Sequence, residues 1–349
     1  MKRRSVLVVA VVLVVALLSG LMVSCGGQKA GEQTGQQGTQ TVVLKFASFQ
    51  TGAYVDKEQA FVDRFNARCG PAYRIEYYPS EQMVGMAELL DAGRTGVADL
   101  VSLVPNAYAA HDPRLGAIEL PFLFNNIDAH VEALPKLAPL YNEVLEQQFN
   151  QKLLCVHNFT ATELLSTRPV KTMEDWRGLV VHAVSPVISN VVTSLGGSAV
   201  SRPFPEAYEL LQKKTVEATF NAPGMITTYK LNEVAKNLTV AYFSAAMHGI
   251  SVNLNSWNKL PADVQKALVE EAEAYARDMD EWCKGDEYEG ALKRLEQAGV
   301  QVYQVPNAER ERWKEACRPY LEKQLQTLGD FGQQVLKIAE EVNQKHPIQ

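Results

Sequence analysis

His182 closes a short apolar strand within RGLVVHAVSP, residues 177–186. A neutral imidazole donates one hydrogen bond and accepts one. With an ordinary pKa of about 6.5 it can also carry a charge. At a strand end it serves either as a satisfied, partly buried residue or as a ligand-binding group. Other polar residues stand at comparable places. Gln50 follows strand 42–48, Asn106 follows strand 98–105, and Thr160 and Thr162 follow strand 152–159. Ligands of layered α/β proteins collect at the carboxyl ends of strands. Amides and hydroxyls at such edges bind polar solutes by hydrogen bonding, or act as turn residues bonded only to backbone. Neither role breaks a covalent bond. The common catalytic signatures are missing: G-x-S-x-G, H-E-x-x-H, the phosphate loop and G-x-G-x-x-G. The six histidines are scattered. The sequence is therefore read as that of a non-enzyme, with no cofactor. The acids Asp278, Asp280, Glu281, Asp286 and Glu287 have the composition of a metal site, but on a helix they read as a solvated face.

The elements that must position these residues alternate. Strand composition marks 42–48, 73–79, 98–105 and 152–159, and helical spacing marks 53–69, 83–96 and 127–149. A second series follows, with strands at 179–182, 216–221 and 249–255 and helices at 186–195 and 206–214. Alternation of this kind predicts α/β layers on largely parallel sheets. Residues 261–298 read as helix throughout. Pro261 suits a first turn and Asp263 the positive end of the dipole. At the α-helical rise this segment spans roughly 55 Å, enough to lie across two lobes.

The chain has 349 residues, 46% hydrophobic and 21% charged, as in ordinary globular proteins. Its formal net charge is −6, and no basic stripe is present, so no nucleic-acid partner is expected. Residues 1–25 read as a secretory signal: Lys2, Arg3 and Arg4 precede an apolar run too short to span a bilayer comfortably. The ending Met22-Val23-Ser24-Cys25 resembles a bacterial lipobox, whose cysteine is lipid-modified. Residues 26–41 have the Gly/Gln/Thr composition of a flexible tether. The expected location is the periplasm or cell surface, anchored through Cys25. Cys69, Cys155, Cys283 and Cys317 have no C-x-x-C spacing. Cys155 reads as a core thiol, while Cys283 and Cys317 lie on helices that could bring them together. A tethered two-lobed α/β protein without catalytic motifs fits a solute receptor, in which a ligand between the lobes favours the closed state.

Seven stretches then carry a family resemblance in order: YPSEQMVG (78–85), GVADLVS (96–102), ELPFLF (119–124), RPVKTMEDWRGLVVHA (168–183), LGGSAVSRPFPEAYELLQKK (195–214), KLNEVAKNLT (230–239) and NSWNKLPADVQKAL (255–268). Together they resemble the solute receptors of TRAP transporters, the tripartite ATP-independent periplasmic systems often called C4-dicarboxylate transporters. The resemblance implies a two-lobed periplasmic-binding-protein-like fold, type II-like, with hinge strands and a long helix crossing both lobes. The expected division is 42–158 with 249–285 as one lobe and 159–248 with 286–349 as the other. It also implies capture of a small solute and its transfer to membrane permease subunits driven by an ion gradient. A receptor for an ATP-driven importer and a periplasmic enzyme are the alternatives.

The family usually carries, where this chain has His182, an arginine that pairs with the ligand carboxylate through its planar fork. A second arginine, frequent before RPVKT, is missing from NFTATELLST (158–167), which instead holds Glu163. The resemblance also makes Asn221 a ligand-binding asparagine and Phe204 a pocket wall. Tyr242, Phe243 and His248 lie near the return hinge, and Phe243, like Phe204, reads either as a substrate-binding cleft residue or as core. Three pockets stay open: an organic acid held by protonated His182, an uncharged solute, or an amine with Glu163 or another acid supplying charge.

Overall fold

The computed structural model describes residues 41–202 and 204–348. The signal, Cys25 and nearly all of the tether lie outside these residues. The strands are β1 (Val42–Ala47), β2 (Tyr73–Tyr78), β3 (Leu100–Leu103), β4 (Gln151–Ser166), β5 (Val180–Ala183), β6 (Ser198–Ser201), β7 (Ala218–Asn221), β8 (Asn237–Asn253) and β9 (Gln301–Gln304). The α-helices are α1 (Ala53–Cys69), α2 (Leu89–Thr95), α3 (Ile127–Phe149), α4 (Pro186–Ser194), α5 (Ala207–Gln212), α6 (Pro223–Thr228), α7 (Leu254–Trp257), α8 (Ala262–Trp282), α9 (Ala291–Gln297), α10 (Asn307–Thr327) and α11 (Gly329–Lys345).

The strands run in the order β2-β1-β3-β8-β4-β7-β5-β6, with β9 beside β8. The outer groups β2-β1-β3 and β7-β5-β6 are parallel within themselves, as the alternating pattern predicts. Between them β8 and β4 are antiparallel to each other. The end of β8 pairs with β3, and the end of β4 pairs with β7. These two long strands therefore belong to both lobes. The sequence shows only part of each, 152–159 and 249–255. The continuation through Asn158, Thr160 and Thr162 is polar enough to resemble a loop. Pairing with β8 satisfies its backbone, across register shifts at 158/160 and 162/164.

Each lobe is a sheet covered on both faces. In the first, Phe46, Phe61, Phe65, Leu268 and Tyr275 are buried under α1 and α8. On the opposite face Leu103, Leu134, Leu137, Tyr141 and Val342 are buried under α3 and α11. In the second lobe Trp176, Val191, Phe243 and Trp313 form one core with α4 and α10. Leu165, Leu211, Ile226 and Leu295 form the other, with α5, α6 and α9. In α8 the buried residues Val264, Ala267, Leu268, Ala272, Tyr275, Ala276 and Met279 recur at helical spacing, which makes one apolar stripe. The long helix continues from α8 through a π-helical segment, Cys283–Gly290, into α9. Its acids are partly occupied: Asp286 pairs with Arg294 at 3.1 Å, and Asp280 accepts the Asn158 N–H at 2.6 Å. Cys283 and Cys317 are free thiols in separate cores, so they do not pair.

Glu58, on the buried face of α1, is 0% exposed and accepts a hydrogen bond from the Tyr77 hydroxyl. Burial pushes its carboxyl up to about 7 from an ordinary 4.5, against the lowering effect of Ser48, Tyr77 and Ser102. Between these values the unfolded chain binds fewer protons than the folded one, so this group lowers stability as pH rises through the window. Glu58→Gln is expected to match the parent near pH 4.5 and to exceed it by about 2–3 kcal/mol at pH 8. Chemical denaturation at both pH values checks this; an equal difference at both would contradict the charge penalty.

Candidate functional site

Five of the sequence-predicted site residues converge. Asn106 sits in the 3-10 turn Pro105–Tyr108 just after β3, Thr160 and Thr162 lie where β4 passes between lobes, Asn221 ends β7, and Phe204 follows β6. All five line a cavity of about 200 Å³, with Phe159, Phe220 and Met225 among its apolar walls. A second cavity of about 610 Å³ shares Asn106, Glu119 and Val184 with the first and extends to Tyr320 on α10. Phe204 is braced edge-on against Tyr229, with centroids 4.6 Å apart.

The hinge segment is backbone-strained at the cavity wall. Thr160 has φ 126°, a region that a β-branched residue rarely occupies. Asn158 holds it: the Asn158 Oδ1 accepts the Thr160 N–H at 3.0 Å. Asn158 is in turn tied to α8 through Asp280. The 158/160 register shift thus points the threonines inward at the expense of a regular ladder.

Two residues lining this cavity each carry a buried polar atom without a protein partner. Asn221 is 8% exposed, and its Oδ1 accepts the Ala222 N–H at 2.9 Å, while its Nδ2 is buried and unpaired. The Oδ1 of Asn106 is likewise buried and unpaired. Buried polar atoms nearly always find partners, so a donor and an acceptor left unmet on residues that line one cavity are suited to a polar solute.

The remaining predicted residues lie elsewhere. His182 is 0% exposed and fully engaged, with Nδ1 3.0 Å from the Thr219 hydroxyl and Nε2 3.0 Å from the Arg202 carbonyl. It braces β5 and β7 behind the cavity wall. Gln50 is buried against the hinge, its Nε2 3.0 Å from His248 Nδ1. His248 in turn stacks on Phe159 at 4.0 Å. Burial, with the neighbouring His157 adding to it, holds His248 well below the ordinary imidazole range. Phe243 is a core residue, packed against Phe220, Trp313 and Trp176 at centroid distances of 5.0, 5.5 and 6.0 Å. Glu163 is 0% exposed and points away from the cavity: it accepts the Ala241 N–H at 2.8 Å, the Tyr242 N–H at 3.1 Å and the Tyr288 hydroxyl at 2.6 Å. Its carboxylate oxygens are engaged by protein donors.

Sequence reasoning missed Glu119. It ends the 3-10 segment Pro113–Glu119 and lines both cavities. Its signal was legible in hindsight as one charge inside the otherwise apolar AIELPFLF. Burial pushes its carboxyl up to about 7, against the lowering effect of the Ser185 and Asn106 side chains. Among the described residues lining the two cavities, Glu119 is the only charged side chain.

Two lobes sharing hinge strands, with an apolar-walled cavity carrying a few polar side chains at their junction, define a solute-receptor architecture. Residues 51–327 match the family described as bacterial extracellular solute-binding protein, family 7, and the chain belongs to that family. It is the TRAP solute-receptor family expected from the sequence, one of binding proteins rather than enzymes. The chain is 28% identical over 267 residues to the C4-dicarboxylate-binding periplasmic protein DctP of Rhodobacter capsulatus, covering 74% of this chain and 78% of that protein. A TRAP periplasmic solute-binding protein from Ochrobactrum anthropi superposes with a TM-score of 0.79 at 20% identity, covering 88% of this chain and 99% of the other. Another, from Desulfovibrio salexigens with bound orotic acid, superposes with a TM-score of 0.75 at 20% identity, covering 87% and 99%. No helix among the described residues is long and apolar enough to cross a membrane.

Proposed function

We propose that this chain is the extracytoplasmic receptor of a TRAP-type secondary transporter, capturing a small polar solute between its lobes and delivering it to membrane permease subunits. Lipid attachment at Cys25 would keep it beside that permease, at the periplasmic or outer face of a membrane. The observation that carries the reading is the pair of unpartnered hydrogen-bonding atoms, Asn106 Oδ1 and Asn221 Nδ2, on two residues that line one cavity at the lobe junction. Structural neighbours hold succinate, orotic acid and D-glucuronate. A cavity of about 200 Å³ suits solutes of that size. In this reading residues 42–158 with 249–285 close against 159–248 with 286–349, and the register shifts in β4 supply the hinge.

Solute binding favours the closed, bound state and so stabilises the fold, by about 2.7 kcal/mol at a hundredfold excess over Kd. A thermal-shift screen of small acids, alcohols, amides and amines on the purified protein is expected to find a stabilising compound. Asn221→Ala is expected to weaken that compound about tenfold, since it removes a buried donor to the solute. An unchanged affinity in this variant would remove Asn221 from the site.

A further inference from the structure

The charge of the solute follows from what faces the cavity, on the reading that this cavity is the solute site. We propose that the solute carries a protonated amine, held by the Glu119 carboxylate and Asn106 Oδ1, and a hydrogen-bond acceptor directed at Asn221 Nδ2. An ammonium has three donors and no acceptor, so it needs several oxygens around it. Glu119 and Asn106 line both cavities together, and the Asn106 Oδ1 is buried with no partner. The complementary end is Asn221, 8% exposed, whose unpaired Nδ2 can only donate. An amine with a neutral oxygen some atoms away satisfies all three groups; a dicarboxylate satisfies Asn221, meets Glu119 only when that acid is protonated, and leaves Asn106 Oδ1 without a donor.

The same walls contain no cation for a carboxylate. Among the described lining residues none is Lys, Arg or His. His182 spends both ring nitrogens on Thr219 and the Arg202 carbonyl. The Arg202 guanidinium is more than half exposed and faces Glu206 at 3.9 Å. Arg114, on the same 3-10 segment as Glu119, is paired with Asp112. From α10 the titratable group on the larger cavity is Tyr320, a neutral phenol whose pKa burial and Glu119 raise. From the start of α4 the lining residues are its N-cap Ser185, whose hydroxyl is 3.5 Å from Glu119 Oε1, and Pro186, Val187 and Ile188, none with a charged side chain.

This arrangement has a pH signature. Burial pushes the Glu119 carboxyl up to about 7. An amine binds the ionised form, so its affinity rises from pH 6 to pH 8, by about tenfold if the free carboxyl titrates midway. A carboxylate ligand would bind the protonated form and show the opposite slope.

The test is isothermal titration of the purified protein with four compounds on one carbon skeleton: 4-aminobutanamide, 4-aminobutyrate, succinamide and succinate. The expected result is that 4-aminobutanamide binds tightest, more tightly at pH 8 than at pH 6. In Glu119→Gln its affinity should fall about tenfold or more and lose its pH slope, with an unchanged circular dichroism spectrum showing a folded protein. Succinate binding best, with affinity rising toward pH 6, would overturn the amine assignment and leave the receptor reading standing. Equal binding of succinamide, unaffected by Glu119→Gln, would do the same. Absence of binding by all four, and by a wider panel of acids, alcohols and amines, would overturn both.

Discussion

Phe243→Ala lowers the unfolding free energy by about 3–5 kcal/mol, the cost of emptying a fully buried aromatic site. Phe243 is 0% exposed and stands where four aromatic rings meet. Trp313 stacks on it at an interplanar angle of 19°, while Phe220 and Trp176 meet it at 85° and 72°. Phe122 closes the cluster from the other side at 5.5 Å. These rings come from α10, β7, β8 and two connecting segments, so no short relaxation can refill the gap. For a body of this length the corresponding fall in Tm is about 5–8 °C. Guanidinium denaturation of parent and variant measures the free energy directly. A variant that kept its stability but lost solute affinity would return Phe243 to the binding site.

Glu163→Ala is expected to cost a similar amount, about 3–5 kcal/mol, for a different reason. The carboxylate is an acceptor hub at the hinge. It takes two consecutive backbone N–H groups of β8, at Ala241 and Tyr242, and the hydroxyl of Tyr288 from the π-helical segment. Alanine leaves three buried donors without partners and removes the acid near Arg310. That guanidinium is 2% exposed and donates to the carbonyls of Ala241 and Phe124, at 2.6 and 2.9 Å. Glu163→Gln retains one acceptor oxygen and should lose clearly less. The comparison separates unmet hydrogen bonding from lost volume: equal losses in the two variants would reject the hub. Because Tyr288 ties the long helix to β4 and β8 here, hydrogen exchange of the hinge amides should rise in Glu163→Ala.

Both predictions concern residues that sequence reasoning placed near the ligand, and both show where that reasoning stops. Phe243 has the composition of a pocket wall or of a core; only the arrival of Trp313, seventy residues on, decides. Glu163 supplies charge to whichever side of β4 it faces, and strand register sets that side. The register shift at 162/164 turns it toward β8 and away from the cavity.

Much else was legible locally. The helices predicted at 53–69 and 127–149 are α1 and α3 with the same ends, because a 3.6-residue apolar period and adjacent capping residues are properties of contiguous sequence. Asn126 caps α3 through its side chain, accepting the Ala129 N–H at 3.0 Å. The long helix at 261–298 was readable for the same reason, though its π-helical turn was not.

The sequence by itself determined the alternating layers, the long crossing helix and, through ordered motifs, the receptor family. Only the tertiary structure decided that β4 and β8 run through both lobes, that His182 and Gln50 are satisfied within the protein, and that Glu119 is the only charged side chain among the described residues lining the cavity. The reason is physical. Helix periodicity and strand alternation arise from neighbours in sequence. The partner of a polar side chain, Gln50 with His248 or His182 with Thr219, is fixed by strands brought together from distant parts of the chain.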